Sequence, residues 1–172
     1  MKLLLKTITL FFIFFTISNA EIVKGIKIFG NERISDETIK VYGAIKEGKS
    51  DYTKQNLDSI LKRIYETNFF KNVSVEIKNQ FLVVNLEEYP VINQLVFLGE
   101  QSNRIKEQII EFIKSKEKGS YIKNNIQEDI NIIKTLYSSI GYNFADVEAK
   151  IRKIDEKNLD LIFEIERGEI TR

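Results

Sequence analysis

The chain has 172 residues, 43% of them hydrophobic, and contains neither histidine nor cysteine. These absences remove the commonest general base and metal ligand and the thiol nucleophile, and they exclude any disulfide. The formal net charge is +1 with no sustained basic stripe, so the sequence does not predict nucleic-acid binding. We assign no catalytic residue, no cofactor and no metal site, and we expect no small-molecule substrate.

Residues 1–20 have the pattern of a cleavable secretory signal. Lys2 and Lys6 precede a mainly apolar run, and small residues before Glu21 predict cleavage after Ala20. The apolar run is shorter than the roughly twenty residues that span a bilayer, which argues against an uncleaved anchor. We therefore expect an exported protein whose mature chain begins at Glu21.

The elements of the first half follow from its periodicity. After a short alternating strand, Ser35 is expected to cap one helix, and Asp51 or Thr53 a second helix with apolar residues at three- and four-residue steps. Two alternating strands follow, around residues 73–77 and 81–87. The predicted order is strand, helix, helix, strand, strand.

The second half repeats this order. A short apolar strand ends at Gly99, as the first strand of the chain ends at Gly30. Repetition at this spacing predicts modules in series. Pro90 lies between the copies, where it suits a strand exit or linker rather than a sheet interior. We predict the following boundaries: a signal peptide at 1–20, a first domain at 21–89 and a second domain at 90–170.

Tyrosines mark further positions of the repeat. Tyr52 and Tyr121 have the same separation as the two strand-ending glycines, whereas the helix-end residues Tyr65 and Tyr137 lie farther apart, which predicts three extra residues in the second copy. Large aromatic residues where a helix meets a strand more often seal a core than line a groove. We expect core positions for Tyr65, Phe69, Phe70, Tyr137 and Tyr142.

Two pairs of adjacent acidic residues, Glu87-Glu88 and Glu128-Asp129, suggest a metal or glycosidase site at first sight. Neighbours on a strand point to opposite faces, and neighbours on a helix diverge by about 100°. Because neither pair converges easily on one ligand, we predict that both belong to charged, solvated faces.

The remaining candidate for binding is the edge of each predicted sheet. A three-stranded sheet covered on one face by two helices leaves unpaired N–H and C=O groups along its outer strands, and these can accept an extended guest strand. The alternative is an edge that is only solvated or is blunted by charge. Five residues could blunt it: Glu76, Lys78, Glu148, Lys150 and Arg152.

In this order, the motifs resemble a known family. The strand ends Phe29-Gly30-Asn31 and Phe97-Leu98-Gly99, and the segment from Tyr65 to Val73, are similar to those of POTRA domains. The junction from Val84 to Ile92 resembles the boundary between the first two POTRA domains of the BamA family, and Glu164 to Gly168 fits the second. The resemblance covers nearly the whole chain after the signal. It implies an α+β fold of two tandem β-α-α-β-β modules, each a three-stranded mixed sheet covered on one face by two helices.

The resemblance also implies a function. Such domains lie in the periplasm, associated with the outer membrane, within the machinery that assembles β-barrel proteins. The implied partners are unfolded outer-membrane proteins, assembly-complex lipoproteins and a membrane β-barrel in cis or in trans. In these domains the strand after the second helix captures guest strands by β-augmentation. Carried over to this sequence, the partner-strand residues are Val73, Ser74, Val75, Glu76 and Ile77, and Val147, Glu148, Ala149, Lys150 and Ile151.

Other functions remain open at this point. The chain could be the POTRA arm of a two-partner secretion transporter, or belong to another POTRA-bearing protein of division or translocation. A division protein of the FtsQ type would retain an uncleaved anchor. A remote alternative is an exported enzyme that uses carboxylates or a Ser-Lys pair. The family's barrel is absent from this sequence, so we expect either a piece or truncated copy of a longer barrel protein or a chain that works without its own barrel.

Overall fold

The computed structural model describes residues 21–48 and 51–171, with only the backbone described for residues 21, 22 and 51. The predicted signal segment, which ends at Ala20, therefore lies outside the described residues. Among the helices of the described part, none is long and apolar enough to cross a membrane.

The first module is built around a sheet of three strands. Its elements are β1 (Glu21–Ile22), β2 (Gly25–Phe29), α1 (Asp36–Gly43), β3 (Asp51–Tyr52), α2 (Lys54–Tyr65), β4 (Phe70–Lys78) and β5 (Phe81–Glu88). The strand order is β2-β5-β4, with β2 parallel and β4 antiparallel to the central β5. Strands β4 and β5 meet at Asn79-Gln80, where both residues have positive φ, as a two-residue hairpin turn requires.

The second module repeats this architecture. Its elements are β6 (Val91–Leu98), α3 (Asn103–Phe112), α4 (Lys123–Ser139), β7 (Asp146–Lys153) and β8 (Asn158–Glu166). The order β6-β8-β7 has the same parallel and antiparallel pairs, so the predicted α+β class with two mixed three-stranded sheets is confirmed. The core is centred on Tyr137 and Phe163, and Phe97 stacks on Phe163 with 5.7 Å between ring centroids. The domain limits at 21–89 and 90–170 stay a prediction.

The glycine that ends the first strand of each module is required by its surroundings. Gly30 and Gly99 have φ of +82° and +85°, a region that residues with a Cβ rarely adopt. A Cβ on Gly30 would also collide with the carbonyl oxygen of Leu86, and one on Gly99 with that of Ile165. Both turns therefore pass close to the central strand, which explains why the glycine recurs.

One predicted correspondence is wrong. Tyr65 is 48% exposed, whereas Tyr137 is fully buried, and the buried residue at the end of α2 is Ile64. At the offset of the two glycines, the buried Ile60 and Ile64 of α2 correspond to the buried Asp129 and Ile133 of α4, so both helices bury the same face and Tyr137 lies one turn further along it. The core position predicted for Tyr65 is also wrong, because Tyr65 lies about 100° around the helix from Ile64 and faces solvent. The other predicted core aromatics are buried or half-buried: Phe69, Phe70 and Tyr142.

The linker between the modules, Tyr89-Pro90, uses every backbone donor and acceptor that it has. The Tyr89 N–H donates to the Phe69 carbonyl at 2.9 Å, and Arg33 Nη2 donates to the Tyr89 carbonyl at 3.2 Å. The Tyr121 N–H donates to the Pro90 carbonyl at 2.8 Å. The linker is therefore anchored to both modules.

A charge pair also joins the modules. Lys157, in the turn between β7 and β8, forms an ion pair with Glu32, in the turn after β2. Both side chains are more than half exposed, so the pair contributes at most about 1 kcal/mol and weakens with salt.

Candidate strand-docking edges

In the first module, β4 is an outer strand whose backbone alternates between two directions. The tight turn Asn79-Gln80 closes with Lys78 and Phe81 as a hydrogen-bonded pair, so alternate residues back from Lys78 bond to β5. The residues between them turn their N–H and C=O groups to the open edge. These edge-facing residues are Val73, Val75 and Ile77.

The two faces of β4 differ in polarity. Val73 is buried, and Val75 and Ile77 pack against the core beneath the helices. Ser74 and Glu76 are exposed on the opposite face. A guest strand paired with β4 would continue both faces, so an alternating apolar and polar sequence matches this edge.

In the second module, β7 is the equivalent outer strand. The Ile154 N–H donates to the Asn158 carbonyl at 3.0 Å, which fixes the alternation of the hairpin. Counting back from Ile154, alternate residues bond to β8, and the residues between them face the open edge. The edge-facing residues are Val147, Ala149, Ile151 and Lys153.

One of these edge donors is already occupied. The Val147 N–H donates to the Asp146 carboxylate at 3.0 Å, and Lys134 Nζ holds the same carboxylate at 2.9 Å. The hydrogen bond from Lys134, followed by that from Val147, lowers the pKa of Asp146. The available donors of β7 therefore begin at Ala149 rather than at the predicted Val147.

Two of the three charged residues of β7 that could blunt this edge, Lys150 and Arg152, are engaged with β8, whereas Glu148 is exposed and lies 3.9 Å from Lys150 on the same strand. Lys150 Nζ lies 2.5 Å from the Glu164 carboxylate, and Arg152 Nη2 lies 2.6 Å from the Asp160 carboxylate. The hydrogen bond to Glu164 raises the pKa of Lys150. Hydrogen bonds from Asn93 and then Arg152 lower the pKa of Asp160. These contacts draw the two cationic side chains over the neighbouring strand instead of across the open edge.

The prediction that Glu87 and Glu88 both belong to a solvated face is wrong for Glu88 and right for Glu87. Glu87 is exposed and pairs with Lys71 at 2.6 Å. The Glu88 side chain is only 10% exposed, because it accepts the N–H groups of Glu32 and Arg33 at 2.9 and 3.0 Å and the Arg33 Nε at 2.6 Å. Glu88 thus fastens the end of β5 to the turn that follows β2.

The prediction of a solvated face is also wrong for Asp129. Its neighbour Glu128 is exposed and pairs with Lys114. Asp129 is fully buried, and its two oxygens accept the N–H groups of Lys114 and Ser115 at 2.6 and 3.0 Å. The position of Asp129, four residues before the buried Ile133, was the available signal. Among the described residues, no cluster of acidic side chains is arranged to hold a metal ion.

Sequence reasoning missed Glu100, which follows the strand-ending Gly99. Glu100 is 3% exposed and accepts the Ser102 N–H at 2.6 Å and the Tyr137 hydroxyl at 2.5 Å. Burial raises the pKa of Tyr137, and Glu100 adds to this effect. Burial opposes the charge of Glu100, but the bonds from Tyr137 and Ser102, with Arg167 nearby, hold its pKa below the usual value. An acid directly after the repeated glycine was the signal for this site.

Comparison with known proteins shows which families the chain resembles. Residues 90–168 match the POTRA family, described as "Surface antigen variable number repeat". The chain is 24% identical over 144 residues to the outer membrane protein assembly factor BamA of Neorickettsia risticii, covering 83% of this chain and 19% of that protein. Residues 90–168 form a POTRA domain. The predicted resemblance is therefore confirmed, and the chain spans about a fifth of the length of that BamA relative.

Two further similarities complete the comparison. The chain is 32% identical over 108 residues to the cell division protein DivIB of Lentilactobacillus buchneri, covering 60% of this chain and 41% of that protein. The N-terminal domain of Omp85 from Thermosynechococcus elongatus matches with a TM-score of 0.55 and 16% identity, covering 87% of this chain and 64% of the other. This structural likeness shows that the fold is shared.

Proposed function

We propose that this POTRA chain is a periplasmic polypeptide-binding module of the machinery that assembles and inserts outer-membrane β-barrel proteins. It captures substrate or partner strands by β-augmentation and performs no catalysis. Its partners are unfolded outer-membrane proteins, assembly-complex lipoproteins and a membrane β-barrel in cis or in trans. Residues 1–20 direct its export, and it acts at the periplasmic side of the outer membrane.

The observation that carries this proposal is the direction of the backbone along β4 and β7. In both modules the strand after the second helix is an outer strand, and its alternate residues present N–H and C=O groups to the open edge. The similarity to BamA, an outer membrane protein assembly factor, supports the choice of guest. Strands of outer-membrane barrels alternate apolar and polar residues, which suits the two faces of these edges.

The strength of such docking is limited by its chemistry. Each backbone hydrogen bond contributes a net of about 0.5–1.5 kcal/mol, and each edge-facing residue can form two. A guest that pairs with two or three residues of one edge therefore gains roughly 2–9 kcal/mol before the cost of ordering it is subtracted. Weak and reversible capture is the expected outcome, which is appropriate for a chain that passes its guest onward.

Proline substitution at the edge tests the proposal. Val75→Pro and Ala149→Pro each remove an N–H that faces the open edge and leave the bonds to β5 and β8 in place. We expect each variant to weaken binding of a peptide copied from an outer-membrane β-strand, and the double variant to lose at least about tenfold in affinity. Binding is measured by fluorescence anisotropy.

Matched variants separate a lost edge donor from a general disturbance. Val75→Ala and Ala149→Val change the same side chains but keep the N–H, and we expect them to bind within about twofold of the parent. Circular dichroism checks that all variants remain folded. Unchanged peptide affinity in the folded double proline variant would contradict strand capture at these edges.

The similarity to DivIB supports a second candidate, a POTRA module of a division protein. The two candidates differ at the N-terminus, since the division protein keeps an uncleaved anchor. Mass spectrometry of the protein from its native host decides between them. A mature chain that begins at Glu21 contradicts the division candidate, and a retained residue 1–20 segment contradicts export by a cleavable signal.

A further inference from the structure

Each sheet has a second outer strand, and in the second module this strand is covered. Residues 117–121, between α3 and α4, run along the outer side of β6, and we name them the covering segment. The Ile92 N–H donates to the Gly119 carbonyl at 2.9 Å, and the Lys118 N–H donates to the Ile92 carbonyl at 2.7 Å. These are the bonds that a guest strand would otherwise form with β6.

The covering segment also contacts residues on both sides of Ile92. Toward the linker, the Tyr121 N–H donates to the Pro90 carbonyl at 2.8 Å. Further along β6, the Leu95 N–H donates to the Glu117 carboxylate at 3.0 Å, so a side chain serves an edge donor that the backbone of the covering segment does not reach. The covering segment therefore occupies β6 from its start to its middle.

Buried contacts fix the approach to the covering segment. The carboxylate of Asp129, on α4, accepts the N–H groups of Lys114 and Ser115, just before the segment begins. Lys118 Nζ donates to Asn93 Oδ1 at 3.2 Å, which adds a side-chain contact to β6. Because these groups are ordered in the folded module, covering the edge costs no further ordering, whereas an incoming guest would have to displace all of them.

The first module contains a pairing at the equivalent position. Strand β3 pairs antiparallel with β1, and Ile22 lies opposite Asp51. The offset that relates the two strand-ending glycines converts this pair into Val91 and Ser120, which form an antiparallel bridge in the second module. In the first module, however, β1 ends before β2 begins and forms a separate two-stranded sheet with β3, so this pairing does not lie along β2.

We infer that the segment between the helices of the second module is a built-in strand that closes the first half of the β6 edge, so that the long open edge this module offers a guest strand is β7. The consequence for guests rests on the proposed function, whereas the closure itself does not. Among the described residues, β4 and β7 have one neighbouring strand each. A module with one long open edge directs a guest to one place, and the covered half of its first strand is protected from pairing edge to edge with another copy.

Amide hydrogen exchange of the full chain tests the closure without any guest. We expect the amides of Ile92, Lys118 and Tyr121 to exchange on the order of a hundredfold more slowly than those of Ala149 and Ile151. Comparable exchange rates at the two edges, measured by nuclear magnetic resonance, would overturn the inference. This result does not depend on strand capture, so it stands even if the proposed function fails.

A disulfide clamp tests the consequence for guests. The hydrogen bonds of Ile92 and Tyr121 flank Val91 and Ser120, so these two residues form a non-hydrogen-bonded pair with about 4.5 Å between Cα atoms, close enough for a disulfide. The chain has no cysteine of its own, so Val91→Cys with Ser120→Cys gives one defined bond.

We expect the oxidised clamp variant to bind the outer-membrane strand peptide within about twofold of its reduced form. A loss of more than about fivefold on oxidation would overturn the inference, because it would mean that the covering segment must open for a guest. Adding Ala149→Pro to the oxidised clamp variant should remove the second module's share of binding. If the unmodified chain binds no peptide, strand capture fails and amide exchange alone decides the closure.

Discussion

The two POTRA-like modules share a backbone design but reverse the charges at the turn after their first strand. In the first module the acid comes from the end of the sheet, since Glu88 accepts the turn N–H groups and pairs with Arg33. In the second module the acid lies in the turn itself, as Glu100, and the base at the end of the sheet is Arg167, whose guanidinium lies 5.8 Å from the ring centroid of Tyr142.

This difference shows what the fold fixes and what it leaves free. The backbone N–H groups of the turn need an acceptor, because an N–H group that is left without a partner away from water is costly. Which segment of the module supplies that acceptor is not fixed. In the first module the choice connects the turn to the linker, through Arg33 and the Tyr89 carbonyl, and in the second it connects the turn to the core, through Tyr137.

The largest expected effect concerns what the modules share. Gly30→Ala and Gly99→Ala each place a Cβ against a strand carbonyl at positive φ, and we expect each to lower the free energy of unfolding by about 3 kcal/mol or more. Gly48→Ala is the control, because Gly48 has a φ of +76° but nothing within 4 Å of the added Cβ, so about 1 kcal/mol is expected. Urea unfolding measures all three, and equal losses would show that φ alone requires glycine.

The next effect is confined to the second module. Asp129→Ala leaves two backbone N–H groups without their buried acceptor, and we expect a loss of about 2–3 kcal/mol in the free energy of unfolding. Glu128→Ala, one residue earlier and exposed, should cost less than about 0.5 kcal/mol. Similar losses for the two variants would contradict a special role for Asp129.

The charge of Glu100 should make the second module sensitive to acid. Its pKa is held below the ordinary value of 4.5, so its contribution to stability is complete above that pH and is lost as the pH falls through the lower folded value. We expect Glu100→Gln to cost about 1–2 kcal/mol at neutral pH and progressively less below pH 4.5. A difference from the parent that stays constant from neutral to acid pH would refute this assignment.

The smallest effect concerns the acid of the first module. Glu88→Gln removes the charge that pairs with Arg33, and we expect a loss of about 1 kcal/mol at low salt. The loss should shrink in concentrated salt, because the Arg33 side chain is one-third exposed. Glu87→Gln, which affects only the exposed pair with Lys71, should change stability by less than about 0.5 kcal/mol.

Local pattern was sufficient to predict the order of elements and the outer strands. Alternation along 73–77 survives in the structure because an outer strand with one buried face obeys period two, whereas along β7 it holds only as far as Ala149, since Ile151 is 43% exposed. The glycines at 30 and 99 were also predictable, since a strand that ends in a tight turn favours positive φ.

What the sequence could not supply depends on contacts across the module. The burial of Asp129 requires the loop at 114–115 to pass over α4, and no local pattern states where a loop goes. Tyr65 and Tyr137 differ in burial because α4 continues beyond the position at which α2 ends, and this extra turn places Tyr137 four residues after Ile133 on the buried face. The occupied N–H of Val147 depends on one side-chain rotamer of the preceding residue.

The hydrogen bonds of the linker limit how the two open edges can move relative to each other. Between the Tyr89 carbonyl, held by Arg33, and the Pro90 carbonyl, held by Tyr121, the backbone has two soft torsions, both within Pro90. The proline ring fixes φ, which leaves ψ as the one free torsion. Rotation about a single bond moves the second module along a cone rather than through all orientations. The length of guest chain needed to reach from β4 to β7 is then a function of one angle.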